Sequence, residues 1–273
     1  MDLGLENKVA LISGGSSGLG FAAARELALE GAHVAIAGRD RDRLAAAADR
    51  LKEVARGRVD ARSVDITDTE AARRWVTEVA GDFGALHIVI VSGGSPATGG
   101  ALTFGPADYQ AAIEQVLQPA IVLSQAAVPH LRAAGWGRVL FVASETASVP
   151  IASLALSGVA RGGLVRYAQS LAPELARDGV TVNVLAPGAT RTELVERAAR
   201  KLAADGDVEA QLRLLGQHTA VGRLATPAEF AAVAAFLASE RASYVTGAVH
   251  LIDGGAAVTP PEFEQYTAPG AYT

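Results

Sequence analysis

Short apolar runs and longer amphipathic stretches alternate along this chain. The short runs are rich in valine, isoleucine and alanine and are apolar almost throughout. Such runs are typical of strands that a parallel sheet buries on both faces. Their alternation with helices places those helices on both faces of the sheet, so the pattern predicts an α/β fold with a doubly wound parallel sheet. The predicted strands cover residues 9–13, 32–37, 59–64, 86–91, 138–143, 180–185 and 248–252.

Apolar residues recur at helical spacing in the longer stretches. Pro119 and Pro129 lie inside the longest stretch and are expected to kink or break it. Residues 154–178 are apolar and rich in small side chains, so this helix is either buried or packs on another subunit. Residues 190–220 are polar and helical, and we expect a cap over a ligand cleft. The predicted helices cover residues 18–30, 42–55, 69–83, 106–133, 154–178 and 227–238.

No internal repeat or linker divides the chain, and 273 residues are enough for one large α/β domain. Apolar residues make up 50% of the sequence, which allows a sizeable core. We therefore predict a single domain over residues 1–255, with the cap inserted at about residues 190–220. Residues 256–273 are expected to form a C-terminal tail.

Charge and composition exclude several classes of partner. The net charge is −5 and no basic stripe exists, which argues against nucleic acid. Cysteine is absent and the histidines are scattered, so no metal site is predicted. Residues 1–8 are too polar for a signal peptide, and no apolar run reaches the roughly 20 residues that span a bilayer. These features predict a cytoplasmic protein without a membrane partner.

A glycine- and serine-rich turn joins the first predicted strand to the first helix, over residues 13–20. Strand, glycine turn and helix form the arrangement that binds a dinucleotide pyrophosphate. Glycines let a phosphate approach the main chain, and the helix N-terminus offers unpaired N–H groups. A purely structural loop is the alternative. The residues expected to contact the cofactor here are Gly14, Ser16, Ser17, Gly18, Leu19 and Gly20.

The second predicted strand ends where a dinucleotide fold places the adenosine ribose. A carboxylate at that position would bind the ribose hydroxyls of NAD. The first charged residue is instead Arg39, whose planar fork suits a ribose phosphate, and Ser16 can add a hydroxyl. Asp40 follows directly and argues in the other direction. The sequence therefore favours NADP and leaves NAD possible.

A second glycine-rich segment, residues 92–100, follows the predicted central strand. Ligands bind at the carboxyl ends of such strands. The predicted cap carries leucines among its charges, which suggests a partly apolar small-molecule ligand. These leucines are Leu194, Leu202, Leu212, Leu214 and Leu215.

Several of these segments together resemble the short-chain dehydrogenase/reductase superfamily, over about residues 5–255. Residues 13–20 are similar to its T-G-x-x-x-G-x-G motif, with Ser13 in place of threonine. Within the superfamily the chain looks most like the 3-oxoacyl-carrier-protein reductase group. The other matching segments are residues 135–139 (G-R-I/V), 182–188 (V-N-x-x-x-P-G), 244–247 and 253–255.

The resemblance implies a seven-stranded Rossmann-type sheet, a nicotinamide cofactor, a carbonyl or alcohol substrate, and a homodimer or homotetramer. It also extends the set of cofactor-binding residues. Asp65 takes the place of the superfamily's adenine-contacting aspartate, and Thr192 that of the threonine after the P-G pair. The further cofactor residues that it implies are Ile66, Ser92, Gly93, Gly94, Arg161, Pro187, Gly188 and Thr190.

The catalytic positions depart from the superfamily's asparagine, serine, tyrosine and lysine. Ser144 retains the serine that orients the substrate carbonyl. Ser157 and Arg161 stand where the proton-transferring tyrosine and its lysine are expected, and Val116 stands near the asparagine position. A serine hydroxyl titrates far above a phenol, and arginine holds its charge at all working pH. Ser144, Ser157 and Arg161 are the predicted catalytic residues.

Three hypotheses follow from this altered site. The chain is an NADP(H)-dependent oxidoreductase with a rearranged site, a non-redox enzyme such as a dehydratase, isomerase or aldolase on the same fold, or a nucleotide-binding protein without turnover. The retained cofactor motifs favour the first over the third. The residues that can replace the missing acid are Glu145, His218, Tyr109 and Tyr167.

Overall fold

The apolar runs form one sheet of parallel strands in a computed structural model of the protein. The structure describes residues 2–203 and 206–259. The strand order is β3-β2-β1-β4-β5-β6-β7, which reverses between β1 and β4 as in a Rossmann-type fold. The α/β prediction is therefore confirmed. The strands are β1 Val9–Ile12, β2 His33–Gly38, β3 Val59–Ser63, β4 Ile88–Val91, β5 Gly137–Val142, β6 Val180–Pro187 and β7 Val249–Ile252.

Helices cover both faces of the sheet because alternate strand residues point to opposite sides. The helices are α1 Gly18–Leu29, α2 Arg41–Lys52, α3 Thr69–Phe83, α4 Pro106–Ala134, α5 Ala155–Leu175, α6 Glu193–Leu202, α7 Val208–Gln217 and α8 Pro227–Leu237. In β1, Val9 and Leu11 join one buried cluster with α3, α4 and α5, while Ala10 and Ile12 join a second cluster with α1, α2 and α8.

Helix α4 corrects one expectation, because it runs without a break through Pro119 and Pro129. A proline inside a helix costs about 3 kcal/mol, and burial of one face of α4 on the sheet outweighs that cost. Pro129 has no N–H to donate to the carbonyl of Gln125, four residues earlier, and because both residues are exposed that carbonyl can bind water. Within the described residues, α4 is also the helix whose length and composition would suffice to cross a membrane, a test that buried core helices pass too.

The predicted cap consists of two helices, α6 and α7, rather than one continuous stretch. Thr192 caps α6, where its hydroxyl accepts a hydrogen bond from Val195 N at 3.4 Å. The chain before α6 is tied to the body by a bridge between Thr190 and Ala225. The cap therefore begins directly at the end of β6, beside the carboxyl edge of the sheet.

Helix α5 packs into the subunit's own core. Ala160 is 1% exposed within that core. A Cβ added at Gly162 would meet nothing within 4 Å, so this position faces outward. An outward face on α5 is compatible with subunit packing, which stays a prediction. Of the predicted tail, residues 260–273 lie outside the described residues.

Candidate active site

The glycine turn is folded tightly against the end of β4. Ser13 Oγ donates to Ser92 O at 2.9 Å and accepts from Ser92 N at 3.0 Å, which joins the ends of β1 and β4. A Cβ at Gly14 would lie 2.6 Å from Ser92 O, so a larger residue cannot take this place. The turn is thus fixed to the ends of both β1 and β4, the neighbouring strands between which the strand order reverses.

The N-terminus of α1 is open to an anion. Ser17 is the N-cap residue, yet its side chain makes no capping hydrogen bond. Gly18 has a φ of 59°, and a Cβ there would meet only Thr192 Cγ2, at 3.8 Å. Free N–H groups, the positive end of the helix dipole and space above the glycine suit a phosphate. The turn therefore fits a dinucleotide pyrophosphate, and Leu19 and Gly20 belong to the same helical turn.

A cationic side chain lies at the end of β2. Arg39 is exposed, and its guanidinium has no ion-pair partner among the described residues. Ser16 Oγ would lie 2.9 Å from a Cβ at Gly38, so this hydroxyl borders the same spot. Asp40 is occupied elsewhere, because its carboxylate accepts from Arg43 N at 3.0 Å as the cap of α2. Asp40 is thus a helix cap in this structure.

Asp65 and Ile66 follow β3 and lie at the carboxyl edge of the sheet. The Asp65 carboxylate accepts from Thr67 N at 3.0 Å and from Thr67 Oγ1 at 2.8 Å. The backbone hydrogen bond from Thr67, with a smaller contribution from the charge of Arg39, lowers the pKa of Asp65. Ile66 Cδ1 would lie 3.3 Å from a Cβ at Gly93. Ile66, after β3, therefore lies next to the loop that follows β4.

Four polar residues beyond β5 form a hydrogen-bonded network through their side chains and the main-chain N–H of Thr146. Thr146 N donates to Ser144 Oγ at 3.3 Å. The Thr146 and Ser157 hydroxyl oxygens are 3.1 Å apart, and Arg161 Nε donates to Ser157 Oγ at 3.1 Å. The predicted catalytic residues Ser144, Ser157 and Arg161 are therefore brought together, with Thr146 linking them.

Arg161 is anchored by main-chain carbonyls. Its two terminal nitrogens donate to Val142 O at 3.3 Å and to Gly94 O at 3.0 Å. Burial lowers the pKa of the guanidinium to about 10, so it keeps its charge at neutral pH. Val116, near the asparagine position, has its Cγ2 2.7 Å from where a Cβ at Gly94 would lie. The guanidinium thus reaches the loop after β4 directly.

Glu145 places a carboxyl between the ends of β5 and β6. It directly follows Ser144 at the start of a short 3-10 helix and is half-buried. Its Oε2 would lie 2.9 Å from a Cβ at Gly188, in the P-G pair that ends β6. Burial, and then the charge of Asp253, raise the pKa of this carboxyl.

The other candidate acids lie in different surroundings. Tyr167 packs on Phe141 with ring centroids 5.9 Å apart, and its hydroxyl is 2.8 Å from Ser124 Oγ between α4 and α5. Tyr109 donates to Ala101 O at 3.2 Å at the start of α4. His218 is exposed at the end of α7. Of the four, Glu145 is the one adjacent to Ser144.

The remaining predicted residues have visible structural roles. Thr190 donates to Gly188 O at 3.2 Å and so shapes the turn after Pro187. Asn183, from the V-N motif, is fully buried and donates to Val245 O at 2.7 Å, which clamps β6 to the segment before β7. Sequence reasoning missed Thr146 and the carbonyls that hold Arg161, because acceptors on the main chain leave no residue-type signal.

An open cavity of about 440 Å³ lies beside the glycine turn, between α1, α2 and the start of α6. Arg43 of α2 and Glu193 of α6 form an ion pair of 2.6 Å at this cavity. Among the residues that the structure describes, no group of three histidine, aspartate or glutamate side chains is placed to hold a metal. The other charged side chains lining the cavity are Arg25, Arg50 and Arg191.

Comparison with known proteins agrees with this geometry. A family model described as enoyl-(acyl carrier protein) reductase matches residues 14–257. Dehydrogenase/reductase SDR family member 4 of Caenorhabditis elegans is 31% identical over 252 residues, covering 92% of this chain and 95% of that protein. The chain belongs to the short-chain dehydrogenase/reductase superfamily.

Other members of the superfamily are similar over nearly their whole length. The 3-oxoacyl-acyl-carrier-protein reductase MabA of Mycobacterium bovis is 31% identical over 245 residues, covering 90% of this chain and 91% of that protein. The crystal structure of L-sorbose reductase from Gluconobacter frateurii, complexed with NADPH and L-sorbose, has a TM-score of 0.91 at 33% identity, covering 95% of this chain and all of that one. This chain is an enzyme of the same oxidoreductase superfamily.

Proposed function

We propose that this short-chain dehydrogenase/reductase uses NADP(H) to interconvert a carbonyl and a hydroxyl group on a small, partly apolar molecule. The observation that supports the proposal is that the residues from the open glycine turn to the Ser144, Ser157 and Arg161 network all lie along the carboxyl edge of the sheet. When bound, the nicotinamide supplies or takes up the two electrons of the reaction. The general oxidoreductase role of the relatives supports this assignment.

The residues of the edge divide the binding of the cofactor between them. The N–H groups at Gly18 and Leu19 suit the pyrophosphate, and Asp65 with Ile66 suits the adenine end. Arg161 retains N–H groups beyond those that its three acceptors use, and these suit the hydroxyls of the nicotinamide ribose. The proposed further contacts are Gly14, Ser16, Ser17, Gly20, Ser92, Gly93, Gly94, Pro187, Gly188, Thr190 and Thr192.

NADP is favoured over NAD by the charges at the end of β2. A ribose phosphate needs cationic or hydroxyl donors, and the unpaired Arg39 guanidinium with Ser16 supplies both. NAD would need a free carboxylate there, whereas Asp40 is engaged as a helix cap. L-sorbose reductase, which was crystallised with NADPH, is a relative consistent with this preference.

Ser144 is proposed to orient the substrate oxygen. Its Oγ accepts from Thr146 N, so its own proton is available to donate to a carbonyl. Ser157 is held by Arg161 and Thr146 and keeps the guanidinium in place. Exposed apolar side chains of the cap, Leu194 and Leu214, support a partly apolar substrate.

The first experiment is calorimetric titration with NADPH and with NADH, followed by a panel of L-sorbose, cyclohexanone and ethyl acetoacetate. We expect NADPH to bind more tightly than NADH and at least one ketone to be reduced. Binding without any ketone reduction would instead favour the nucleotide-binding protein. Conversion of a substrate without oxidation of NADPH would favour the non-redox enzyme.

A double substitution tests the altered site itself. Ser157→Tyr with Arg161→Lys restores the superfamily pair on one helix face, four residues apart. If the serine and arginine only replace a lost acid, ketone reduction is maintained or rises in the double variant. A loss of native turnover with NADPH affinity retained would show that the chemistry depends on the small serine and the fixed guanidinium. Ser157→Ala with native Arg161 is the control for the lost serine hydroxyl.

A further inference from the structure

Glu145 directly follows Ser144, one of the residues of the proposed reaction site. Within the described residues its carboxylate makes no hydrogen bond or ion pair, although it is half-buried. A Cβ at Gly188 would lie 2.8 Å from Asp253 Cα and 2.9 Å from Glu145 Oε2, so the glycine leaves the room that this carboxyl occupies. The carboxyl therefore lies against the P-G turn, one residue along the chain from Ser144.

The neighbouring charges favour the protonated form of Glu145. Asp253, after β7, has both carboxyl oxygens bound to the main chain, because they accept from Gly255 N at 2.9 Å and from Ala257 N at 2.8 Å. From α5, the Arg161 guanidinium is directed at main-chain carbonyls. The end of β6 contributes no titratable group, and His218 is exposed. Burial first, and then the charge of Asp253, raise the pKa of the Glu145 carboxyl, so it retains its proton at higher pH.

Ser157, in the place of the superfamily's proton-transferring tyrosine, does not supply the acid that the reaction needs. Ser157 Oγ is bound to Arg161 and to Thr146, and Arg161 keeps its proton at neutral pH. A serine hydroxyl cannot supply a proton as a phenol does. Another group near Ser144 must therefore exchange the proton with the substrate oxygen.

We infer that Glu145 is this group: it gives a proton to the substrate oxygen during reduction and takes one from it during oxidation. The inference rests on the proposed function. In reduction, NADPH would supply the hydride that forms the new C–H bond at the carbonyl carbon, and the π electron pair of the C=O bond would pass to the oxygen. The O–H bond of the Glu145 carboxyl breaks as a new O–H bond forms on that oxygen. The resulting carboxylate regains a proton from water before the next turnover.

The test compares Glu145→Gln with the native enzyme on NADPH and the panel ketone that is reduced fastest. Glutamine keeps the shape but cannot donate an acidic proton, so we expect turnover to fall about 10²- to 10³-fold with KM little changed. The limb of the pH–rate profile that belongs to Glu145 should disappear. Glu70→Gln, at an exposed carboxyl in the first turn of α3, is the matched control and should leave both unchanged.

Chemical rescue keeps the test decisive if glutamine perturbs the site. In Glu145→Ala, formate can enter the vacated space and supply the proton, so turnover should rise with formate concentration. The same formate should have no effect on Glu70→Ala. Turnover of Glu145→Gln within threefold of the native rate, or an unchanged pH profile, would overturn the inference.

A second readout does not use activity. Carbon-13 labelling of glutamate carboxyls should reveal one resonance that titrates above the ordinary glutamate range and is missing in Glu145→Gln. A Glu145 resonance that titrates normally would overturn the inference even if no ketone is reduced. A native enzyme without ketone reduction would refute the proposed function and leave this titration to decide the state of Glu145.

Discussion

A buried and a half-buried arginine lie near opposite ends of strand β5. Arg138 is 1% exposed at the start of the strand, and Arg161, which is half-buried, reaches the carbonyl of Val142 at its end. Burial lowers the pKa of each guanidinium to about 10. Neither has an ion-pair partner in the part of the chain that the structure describes. The pKa alone therefore does not distinguish them.

Their partners distinguish them. Arg138 donates to Ser239 O at 3.0 Å and to Gly137 O at 2.7 Å, and it stacks on Trp136 at 4.1 Å. Arg161 also binds two carbonyls but adds a side-chain hydroxyl, that of Ser157, which borders the proposed site. Structural networks perturb pKa values as active sites do. We therefore expect the guanidinium at the amino end of β5 to be structural, and we propose a role in the chemistry only for the one at the carboxyl end.

Replacing each arginine by methionine should separate the two roles. Arg161→Met should lower turnover with NADPH by about 10²-fold or more, because the site loses its fixed geometry. Arg138→Met should lower the free energy of unfolding by about 2–4 kcal/mol, because several buried carbonyls lose a donor. Its turnover per folded molecule should stay native. Denaturant titration and kcat measure the two effects, and a comparable loss of kcat in folded Arg138→Met would contradict the comparison.

Two glycines allow the same contrast at the main chain. Gly18 and Gly135 have φ values of 59° and 62°, at the carboxyl and amino edges of the sheet. Alanine at either position should cost about 1–2 kcal/mol of strain. Only Gly18→Ala should also weaken NADPH binding, by roughly 30-fold or more, because the methyl group occupies the space of the phosphate. Calorimetry measures the affinity, and equal affinities for the two variants would refute the pyrophosphate site.

The charge at the end of β2 should give a smaller effect. Arg39→Asp should lower the ratio of NADPH to NADH affinity by about 10- to 100-fold, which corresponds to the loss of charge-assisted hydrogen bonds. Arg41→Asp, also exposed and with the same change in net charge, is the control and should leave the ratio nearly unchanged. Equal native affinities for both cofactors, unaltered in Arg39→Asp, would contradict the NADP preference.

The smallest change is expected from Ser157→Ala. Arg161 keeps its two carbonyl acceptors in this variant and loses one hydrogen bond of about 0.5–1.5 kcal/mol, while Thr146 loses its bond to the same hydroxyl, so turnover should fall about 2- to 10-fold. Ser157→Thr, which retains the hydroxyl, should remain near the native rate. A loss as large as that of Arg161→Met would mean that the Ser157 hydroxyl itself takes part in the chemistry.

The fold was predictable because its signals are local. The buried strands β1 and β4 are uninterrupted apolar runs, and Thr226 with Glu229 forms the capping box that begins α8. Of the kink or break expected in α4, the break does not occur, because packing against the sheet, which a local rule does not include, outweighs the cost of Pro119 and Pro129. Tertiary burial therefore set the length of this helix.

The candidate site was predictable only in part. Residue type and spacing located Ser144, Ser157 and Arg161 through the superfamily's pattern. Their bonding could not be read from the sequence, since Arg161 is held by the carbonyl of Gly94, 67 residues away. Similarly, Glu145 gains its setting from Asp253 across the sheet edge. Contacts between distant strand ends require the folded topology.

The ion pair between Arg43 and Glu193 has a kinetic consequence. It joins α2 to the first turn of α6, and both side chains are substantially exposed. Such a pair contributes about 0–1 kcal/mol and is screened by salt. The cap residues Ala199 and Leu212 belong to neither of the two buried clusters of the sheet, so the buried side chains of the cap are not part of the core that holds α2. Nucleotide release should therefore accelerate with ionic strength, whereas the hydrogen bonds of Arg161 to main-chain carbonyls should respond far less.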